Sequence, residues 1–518
     1  MKNQGMSFKL MLEESDGPAD FETAISATGL GKFNLLLLLI AIPSGWAQVF
    51  DTKAMSYVSP VAQCDLQLTL ENKGLLNAIT YIGILSSGFI WGFLADSYGR
   101  KKLLVACYLL DTVFILSAGI SQSFTMLLIS KYFAGFIMNG PTAILISLLS
   151  EFHSSTHRAR FFLCQGLFSN MANVILPVMA WFFFKQNLDV VIEGLELHNW
   201  NFYILLSALP SVISGFAHLL LPESPKFLMS VGRNEEAMDV FRKVYSWNTG
   251  EDPESYPIKV LVDETDSKTD VENNNSDVKD VKASGGGFKE KAWNVVSLFC
   301  PPHLWIIIFL SAVQMGYKMG LNSLKNWLPQ LFTAMNDFVE ANGRNGEFCM
   351  VLDTMAHNHK NVSADCVVNY NNSDVYTNLM IVQSANIFSF LLTGWVINRL
   401  GNKNLFIILG AISGACGGAI YFATNSVTVV VLSTVLTAVS AVNAVVFNVS
   451  VVELLPTRLR TMAISLTRLI GLVETIVGNM IFPYLLKSGC APPFLYVGII
   501  TVGCSFIALF LPKEKNLA

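Results

Sequence analysis

Charge is what this chain has least of. Of its 518 residues only 14% are Asp, Glu, Lys or Arg, while 52% are hydrophobic and the mean hydropathy is +0.48. A soluble chain of this length would form two or three domains carrying about 25% charge. An excess of basic residues is missing too: the net charge is -4, which excludes a nucleic-acid surface. No Walker motif is present, so nucleotide is not expected to drive any movement. The nine cysteines form no CxxC and no Cys/His cluster of metal-ligand spacing. His153 and His157 stand four residues apart, but no third ligand is evident and they read as the flank of a loop. No catalytic constellation appears, so no enzyme activity, cofactor or metal is expected. The first 30 residues lack the apolar core of a signal peptide, so the first membrane helix is expected to start insertion itself.

Long apolar runs fill the rest. A spanning helix needs about 20 mostly apolar residues. Twelve segments qualify: 33–51, 74–95, 103–121, 125–149, 161–184, 202–221, 303–332, 377–398, 405–423, 427–450, 461–486 and 493–511. The fold class is therefore an all-α membrane protein of twelve helices. Two polar breaks interrupt it. Residues 222–300 contain "DETDSKTDVENNNSDVKDVKASGGG", a composition that favours disorder. Their start, "PESPKFLMSVGRNEEAMDVFRKVY", predicts a helix capped by Ser224 with Pro225 at its first position. Phe227, Leu228, Val231, Met238 and Phe241 form its apolar stripe, which is expected to lie on the membrane face. The second break, 333–376, carries Cys349, Cys366 and sequons at Asn361 and Asn371.

Lysine and arginine set the orientation. Short loops on one side hold Arg100, Lys101, Lys102, Arg158, Arg160, Arg399, Lys403, Arg458 and Arg460. Those on the other hold little more than Lys53, Lys73, Lys185 and Lys487. The positive-inside rule makes the first set cytosolic, together with both termini (1–32 and 512–518) and the 222–300 linker. The 333–376 loop then faces the outside or a lumen, where glycosylation at Asn361 and Asn371 and a Cys349–Cys366 disulfide are expected. Cys64 and Cys490 face the same side and are alternative partners. The membrane is expected to be the plasma membrane or that of an intracellular vesicle.

The sequence repeats itself. "GFLADSYGRK" (92–101) has a partner in "GWVINRLGNK" (394–403), and "SEFHSSTHR" (150–158) has one in "VELLPTRLR" (452–460). Gly92 pairs with Gly394, Gly99 with Gly401, Glu151 with Glu453 and Arg158 with Arg460, each 302 residues apart. The chain thus divides into two six-helix halves, 33–221 and 301–511, the layout of transporters that alternate access around a mid-membrane site. Gly92 would let helices approach closely and Gly99 suits a turn of positive φ. Asp96 can pair with Arg100 or face the N-terminal end of a helix in the other half. Gly92, Asp96, Gly99, Arg100, Glu151, Arg158, Gly394, Gly401, Glu453 and Arg460 are therefore expected to form a cytosolic gate. Keeping a loop in the cytosol would explain the cations, but not the glycines, Asp96 or their echo.

These motifs resemble known ones. "GFLADSYGRKK" is similar to the signature of the major facilitator superfamily, with Ser97 where a basic residue is usual. "PESPKF" resembles a motif of sugar porters and organic ion transporters, with Lys226 for Arg, and "VELLPTRLR" resembles one shared by organic ion transporters and the synaptic vesicle glycoprotein 2 family. The last family is the nearest resemblance, through 70–102 and "SEF" at 150–152. The departures are that the 333–376 loop lacks that family's lumenal pentapeptide domain. Gln48 stands for the first of two helix 1 acids, Asp51 keeping the second, and Ala444 and Asn448 stand for a Trp and an Asp. A synaptic role does not carry over. "RTMAISLTRLIG" (460–471) instead resembles organic ion transporters, which implies that Arg468 meets an anion.

A charge inside the bilayer costs roughly 2.5 kcal/mol or more, so each should face a cavity or a partner. The substrate and cavity candidates are Gln48, Asp51, Asn170, Asn173, Asn448, Arg468 and Glu474. Lys131 and Lys325 are expected to snorkel to an interface and Asp111 to sit in a buried pair. Arg468 and Glu474 lie ~120° apart on one helix and cannot pair, whereas Asp51 is a possible partner of Arg468. The expected function is a secondary transporter of a small organic solute, an organic ion by preference, with or without a coupling ion, acting as a monomer in the bilayer. The alternative is a non-transporting trafficking or receptor-like protein of the same fold.

Overall fold

The structure is a computed structural model. It describes residues 18–262 apart from 89, 187 and 193, and residues 303–510 apart from 344–346, 359–372, 401 and 455–456. Side chains are described for the same residues except 303, 354–358, 392–400, 402, 448, 452–454 and 457–465. Asn361, Asn371, Cys366 and Gly401 lie outside the described residues. Gly394 and Asn448 lie in helices and Glu453 and Arg460 at helix ends, but all four fall outside the described side chains.

All twelve expected segments are helical. A short helix α1 (Phe21–Ala27) precedes the first half, which comprises α2 (Lys32–Val61), the pair α3 (Leu70–Ser86) and α4 (Ile90–Tyr98), α5 (Arg100–Gly119), α6 (Phe124–Glu151), α7 (Ser155–Phe183) and the pair α8 (Asn199–Ser207) and α9 (Leu209–Leu219). Two linker helices follow, α10 (Pro225–Ser230) and α11 (Asn234–Thr249). The second half is α12 (His303–Asn342), α13 (Phe348–Asn358), α14 (Ser373–Leu400), α15 (Asn402–Ala419), α16 (Ser426–Leu454), α17 (Thr457–Lys487) and α18 (Ala491–Ile507). Among the described residues ten helices are long and apolar enough to cross a membrane, or eleven if α3 and α4, bent by 51°, count as one span. α14 supplies the remaining span of the twelve. With no water in the hydrocarbon to satisfy backbone groups, helices are the form such runs must take.

Packing repeats with the sequence. In the first half the first span packs on the fifth (α2 on α7), the second on the fourth (α3 on α6) and the third on the sixth (α5 on α9). In the second half the seventh packs on the eleventh (α12 on α17), the eighth on the tenth (α14 on α16) and the ninth on the twelfth (α15 on α18). The halves meet where α3 packs on α17 and α7 on α14, contacts that the repeat exchanges, and along α2 and α12. Small residues permit the tightest approach: a Cβ at Gly83 would stand 2.2 Å from the Tyr132 carbonyl oxygen, and one at Gly135 would stand 2.2 Å from that of Thr80. This is the small-residue packing that membrane helices favour.

Four features differ from expectation. The linker stripe, apart from the exposed Val231, is covered by the chain rather than by lipid. Phe227, Leu228, Met238 and Phe241 pack with Phe21 and Ile25 of α1 and with Tyr256, Ile258 and Leu261. The expected single helix is two, broken at Gly232 (φ +76°), and Ser224 Oγ caps the first by accepting from the Phe227 N–H at 3.1 Å. Val190–Ile192 (β1) and Leu195–Leu197 (β2) pair antiparallel, Val190 opposite Leu197. The disulfide also differs: Cys349 is bonded to Cys490, not Cys366. The reason is α13, which lies against the second half through a bond from the Phe348 N–H to the Ala423 carbonyl (3.3 Å) and a Phe348–Phe494 edge contact at 5.2 Å. Cys64 is also disulfide-bonded.

Candidate functional site

The two ends of the bundle are named here for the linker helices and for the Cys349–Cys490 disulfide. At the linker end the repeated motifs converge on one polar cluster. Gly99 has φ +96°, and a Cβ there would lie 2.5 Å from Glu223 Oε2. Glu223 Oε1 accepts from the backbone N–H groups of Arg100 (2.8 Å), Lys101 (2.9 Å) and Ser224 (3.0 Å), so a carboxylate sits at the positive end of α5. Arg100 pairs with Asp96 and with Glu151, both at 3.4 Å, and lies 5.2 Å from the Phe227 ring centre. Glu151 also accepts from the Ser147 and Ser224 hydroxyls. The loops that follow the second, fourth and sixth spans are thereby tied together within the first half.

The remaining gate residues fall less simply. Asp96 is 69% exposed and faces Arg100 alone among the described residues. A Cβ at Gly92 would meet nothing within 4 Å, so the expected close approach there is not made. The reason is that Gly92 and its neighbour Phe93 are exposed on α4 rather than packed against another helix. Arg158 pairs with Glu22 of α1 at 3.1 Å and donates to the Ser150 and His153 carbonyls. Partial burial raises the Glu22 carboxyl, but its bonds to Ser155 and the Arg158 charge outweigh this and hold it below its ordinary value. His153 stacks on Phe161, and burial pushes it down to about 4. Among the described residues no group of three or more His, Cys, Asp or Glu side chains could hold a metal.

Inside the first half one buried lysine and one buried acid form an ion pair. Lys131 does not snorkel: its Nζ pairs with Asp51 Oδ1 at 2.8 Å, both side chains being 1% exposed. This removes Asp51 as a partner of Arg468 and from the wall of any cavity. Asp111 accepts from the Ser211 hydroxyl at 2.6 Å, which fits the expected structural role. Gln48, Asn170 and Asn173 are half-buried on the packed helices α2 and α7. The two asparagines bond to their own helix, to the Gly166 and Asn170 carbonyls.

The second half is different. α12 and α17 run in the same direction in a fixed register. Asn322 donates to Thr475 at 3.1 Å, Asn326 donates to Asn479 at 3.3 Å, and Lys318 Nζ would stand 3.1 Å from a Cβ on Gly471. Lys325 also lies half-buried on α12, so it does not snorkel clear, and beside it Lys53 of α2 donates to Asn326 at 2.6 Å. Arg468 is exposed on α17. Among the described residues none of Lys53, Lys318, Lys325 and Arg468 forms an ion pair. The nearby acid, Glu474, is fully buried, and neither carboxylate oxygen has a hydrogen-bond partner. Sequence reasoning missed Lys318, although it lies seven residues, two turns, before Lys325 and so on the same face of the helix.

The two halves are joined at the disulfide end. Lys53 meets Asn326, Lys73 donates to Gln330 at 2.9 Å, Lys487 pairs with Glu71, and the Phe184 and Tyr376 rings stand 5.7 Å apart. Toward the linker end Leu163, Leu391 and Phe93 are all exposed.

The known proteins that resemble this chain agree with that architecture. The profile of the family described as sugar (and other) transporters matches residues 37–301, about half of the chain. The chain belongs to that family. The Major Facilitator Superfamily profile matches residues 352–517 of its second half. Rat (Rattus norvegicus) synaptic vesicle glycoprotein 2B is 28% identical over 246 residues, 46% of this chain and 35% of that protein. Rat synaptic vesicle glycoprotein 2A is 26% identical over 333 residues, 60% and 43%. The matched region thus spans less than half the length of these relatives. The E. coli xylose transporter, in a partially occluded inward-open conformation, superposes with a TM-score of 0.63 at 14% identity, over 93% of this chain and all of that one. A D-xylose–proton symporter gives 0.64 at 13%, over 93% and 99%. At such identities these structures show the fold: two six-helix halves of a major facilitator transporter.

Proposed function

We propose that the protein is a secondary transporter that carries a small organic anion by rocking its two halves about the space between α2, α12 and α17. One observation carries this reading: four cations, Lys53, Lys318, Lys325 and Arg468, stand at the inter-half surfaces without a contact ion pair, against a single buried acid, Glu474, near Lys318. Unpaired charge at membrane depth is costly and is retained where it meets a substrate. The linker end is the cytosolic end by the positive-inside rule. Gln48, Asn170, Asn173 and Asn448 supply neutral hydrogen-bonding groups to the same space. The Asp96–Arg100–Glu151–Glu223 cluster, and its echo at Gly394, Gly401, Glu453 and Arg460, form the cytosolic gate of a monomeric protein. Asn361 and Asn371 are glycosylated on the opposite side, in the plasma membrane or a vesicle membrane.

The test is uptake by proteoliposomes containing the purified protein, screened against organic anions, cations and neutral sugars while pH and sodium gradients are varied. Saturable uptake of anions alone is expected. Saturable uptake of cations or sugars would overturn the anion reading, and no uptake of any class would favour a receptor-like protein of the same fold.

A further inference from the structure

The unpaired cations are not scattered. The register between α12 and α17 places Thr475 beside Asn322, Asn479 beside Asn326 and Gly471 beside Lys318, each pair 153 residues apart. Arg468 is then level with Met315, one turn nearer the linker end than Lys318. Lys325 is two turns further toward the disulfide end, on the same face as Lys318, and Lys53 is held beside it through Asn326. The cations thus fall into two poles, Arg468 with Lys318 and Lys325 with Lys53. Seven helical residues separate the two lysines of α12, which sets the poles about 10 Å apart. Glu474 lies level with Leu321, between the poles; it is fully buried and within electrostatic reach of Lys318, but forms no contact ion pair or hydrogen bond with either pole, so one buried acid stands against four cations. Asn322 lies on the same stretch, half-buried and bonded to Thr475.

A single carboxylate reaches one pole and leaves the other uncompensated. An anion with charge at both ends satisfies both and relieves the repulsion within each pair. We propose that the substrate class is an elongated organic dianion whose two negative groups lie about 10 Å apart, one on Arg468 and Lys318 and the other on Lys325 and Lys53. This rests on the anion reading above and narrows it.

The test measures binding to the purified full-length protein through ligand-induced shifts in thermal unfolding. The probes are succinate, adipate, suberate and sebacate, each against its own monomethyl ester, which keeps the length and removes one charge. Affinity is expected to rise with length to an optimum and to exceed that of the matched ester at least about tenfold, because an unpaired pole costs more than 1.4 kcal/mol. Lys325→Gln should reduce that ratio to near one, and Lys325→Arg should keep it. Equal affinity for diacid and ester would overturn the two-pole site while leaving the anion reading intact. Binding of two ester molecules per protein would replace it with two separate anion sites. Failure of every diacid and every ester to bind would overturn both. The length series on the unaltered protein decides the matter even if Lys325→Gln does not fold.

Discussion

The two halves share a fold and a repeat, but among the described residues a buried ion pair is found in the first half alone. In the first half Lys131 has Asp51 at 2.8 Å and Asp111 has Ser211 at 2.6 Å, all sealed from solvent. In the second half Lys318, Lys325 and Arg468 form no contact ion pair among the described residues, although Glu474 lies within electrostatic reach of Lys318; the two lysines are half-buried and Arg468 is exposed. A paired, sealed charge gives up nothing to a ligand and acts as structure. An unpaired, accessible one is a vacancy that a ligand of opposite sign can fill. The contrast assigns a structural role to the sealed pair and an affinity role to the cations of α12 and α17, with Lys53 of α2 joining them from the first half.

Breaking the sealed pair should have the largest effect. Lys131→Ala leaves the Asp51 carboxylate buried without compensation, at a cost of about 3–5 kcal/mol. Thermal unfolding of purified protein should show a large loss of stability, and the Asp51→Asn/Lys131→Gln double variant should recover most of it. A single variant as stable as the unaltered protein would remove the distinction between the halves. Arg468→Ala is the opposite experiment. It should weaken anion binding by about 2 kcal/mol or more while leaving thermal stability unchanged or raised, since it deletes an unpaired charge. Arg468→Lys should bind with intermediate affinity, because lysine lacks the planar two-pronged grip on a carboxylate. Uptake by Arg468→Ala at the unaltered rate would place the anion elsewhere.

How far this contrast could be foreseen depends on what a linear pattern records. Apolar length shows all twelve spans, and the 302-residue offset shows the repeat, because both are one-dimensional. Ser224 as a cap and the positive φ of Gly99 are local and were legible too. The partner of Lys131 was not, because which helix faces it is decided by packing across 80 residues of chain. The same holds for Cys349, whose partner is 141 residues away rather than in its own loop. The small core under the linker escaped because Phe21 and Ile25 sit in a run of seven helical residues, too short for a period to stand out. Lys318 was legible in principle from its spacing to Lys325. Its lack of a contact ion pair was not, since that is a property of three-dimensional neighbours.

Gly99→Ala should have a smaller effect than either charge variant at its own readout. A residue with a side chain in this backbone region costs about 1–3 kcal/mol, and its Cβ would press on Glu223 Oε2 at 2.5 Å. The Glu223 carboxylate would have to leave the N-terminus of α5. Thermal unfolding should fall by that amount, and Glu223→Gln in the same background should add little because the cap is already lost. Additive losses would show that Gly99 and Glu223 act separately.

The smallest effect is expected at the Glu22–Arg158 pair, which lies between the two extremes of the comparison: it is paired, yet its side chains are 40% and 31% exposed. Solvent screening limits such a pair to about 0–1 kcal/mol. Glu22 is held below its ordinary value, so its contribution is present above that value and is lost as pH falls through the folded one. Glu22→Gln should therefore flatten the acid limb of the stability profile slightly and leave the plateau within about 1 kcal/mol. What the substitution changes is Arg158, which is then free of α1 and available to an acid across the linker end. Cysteine labelling at positions engineered on the two mouths should show Glu22→Gln more closed at the linker end than the unaltered protein, and Arg158→Ala should cancel the shift. Identical labelling of Glu22→Gln and the unaltered protein would make α1 a passive cover, and Arg158 part of the scaffold rather than of the gate.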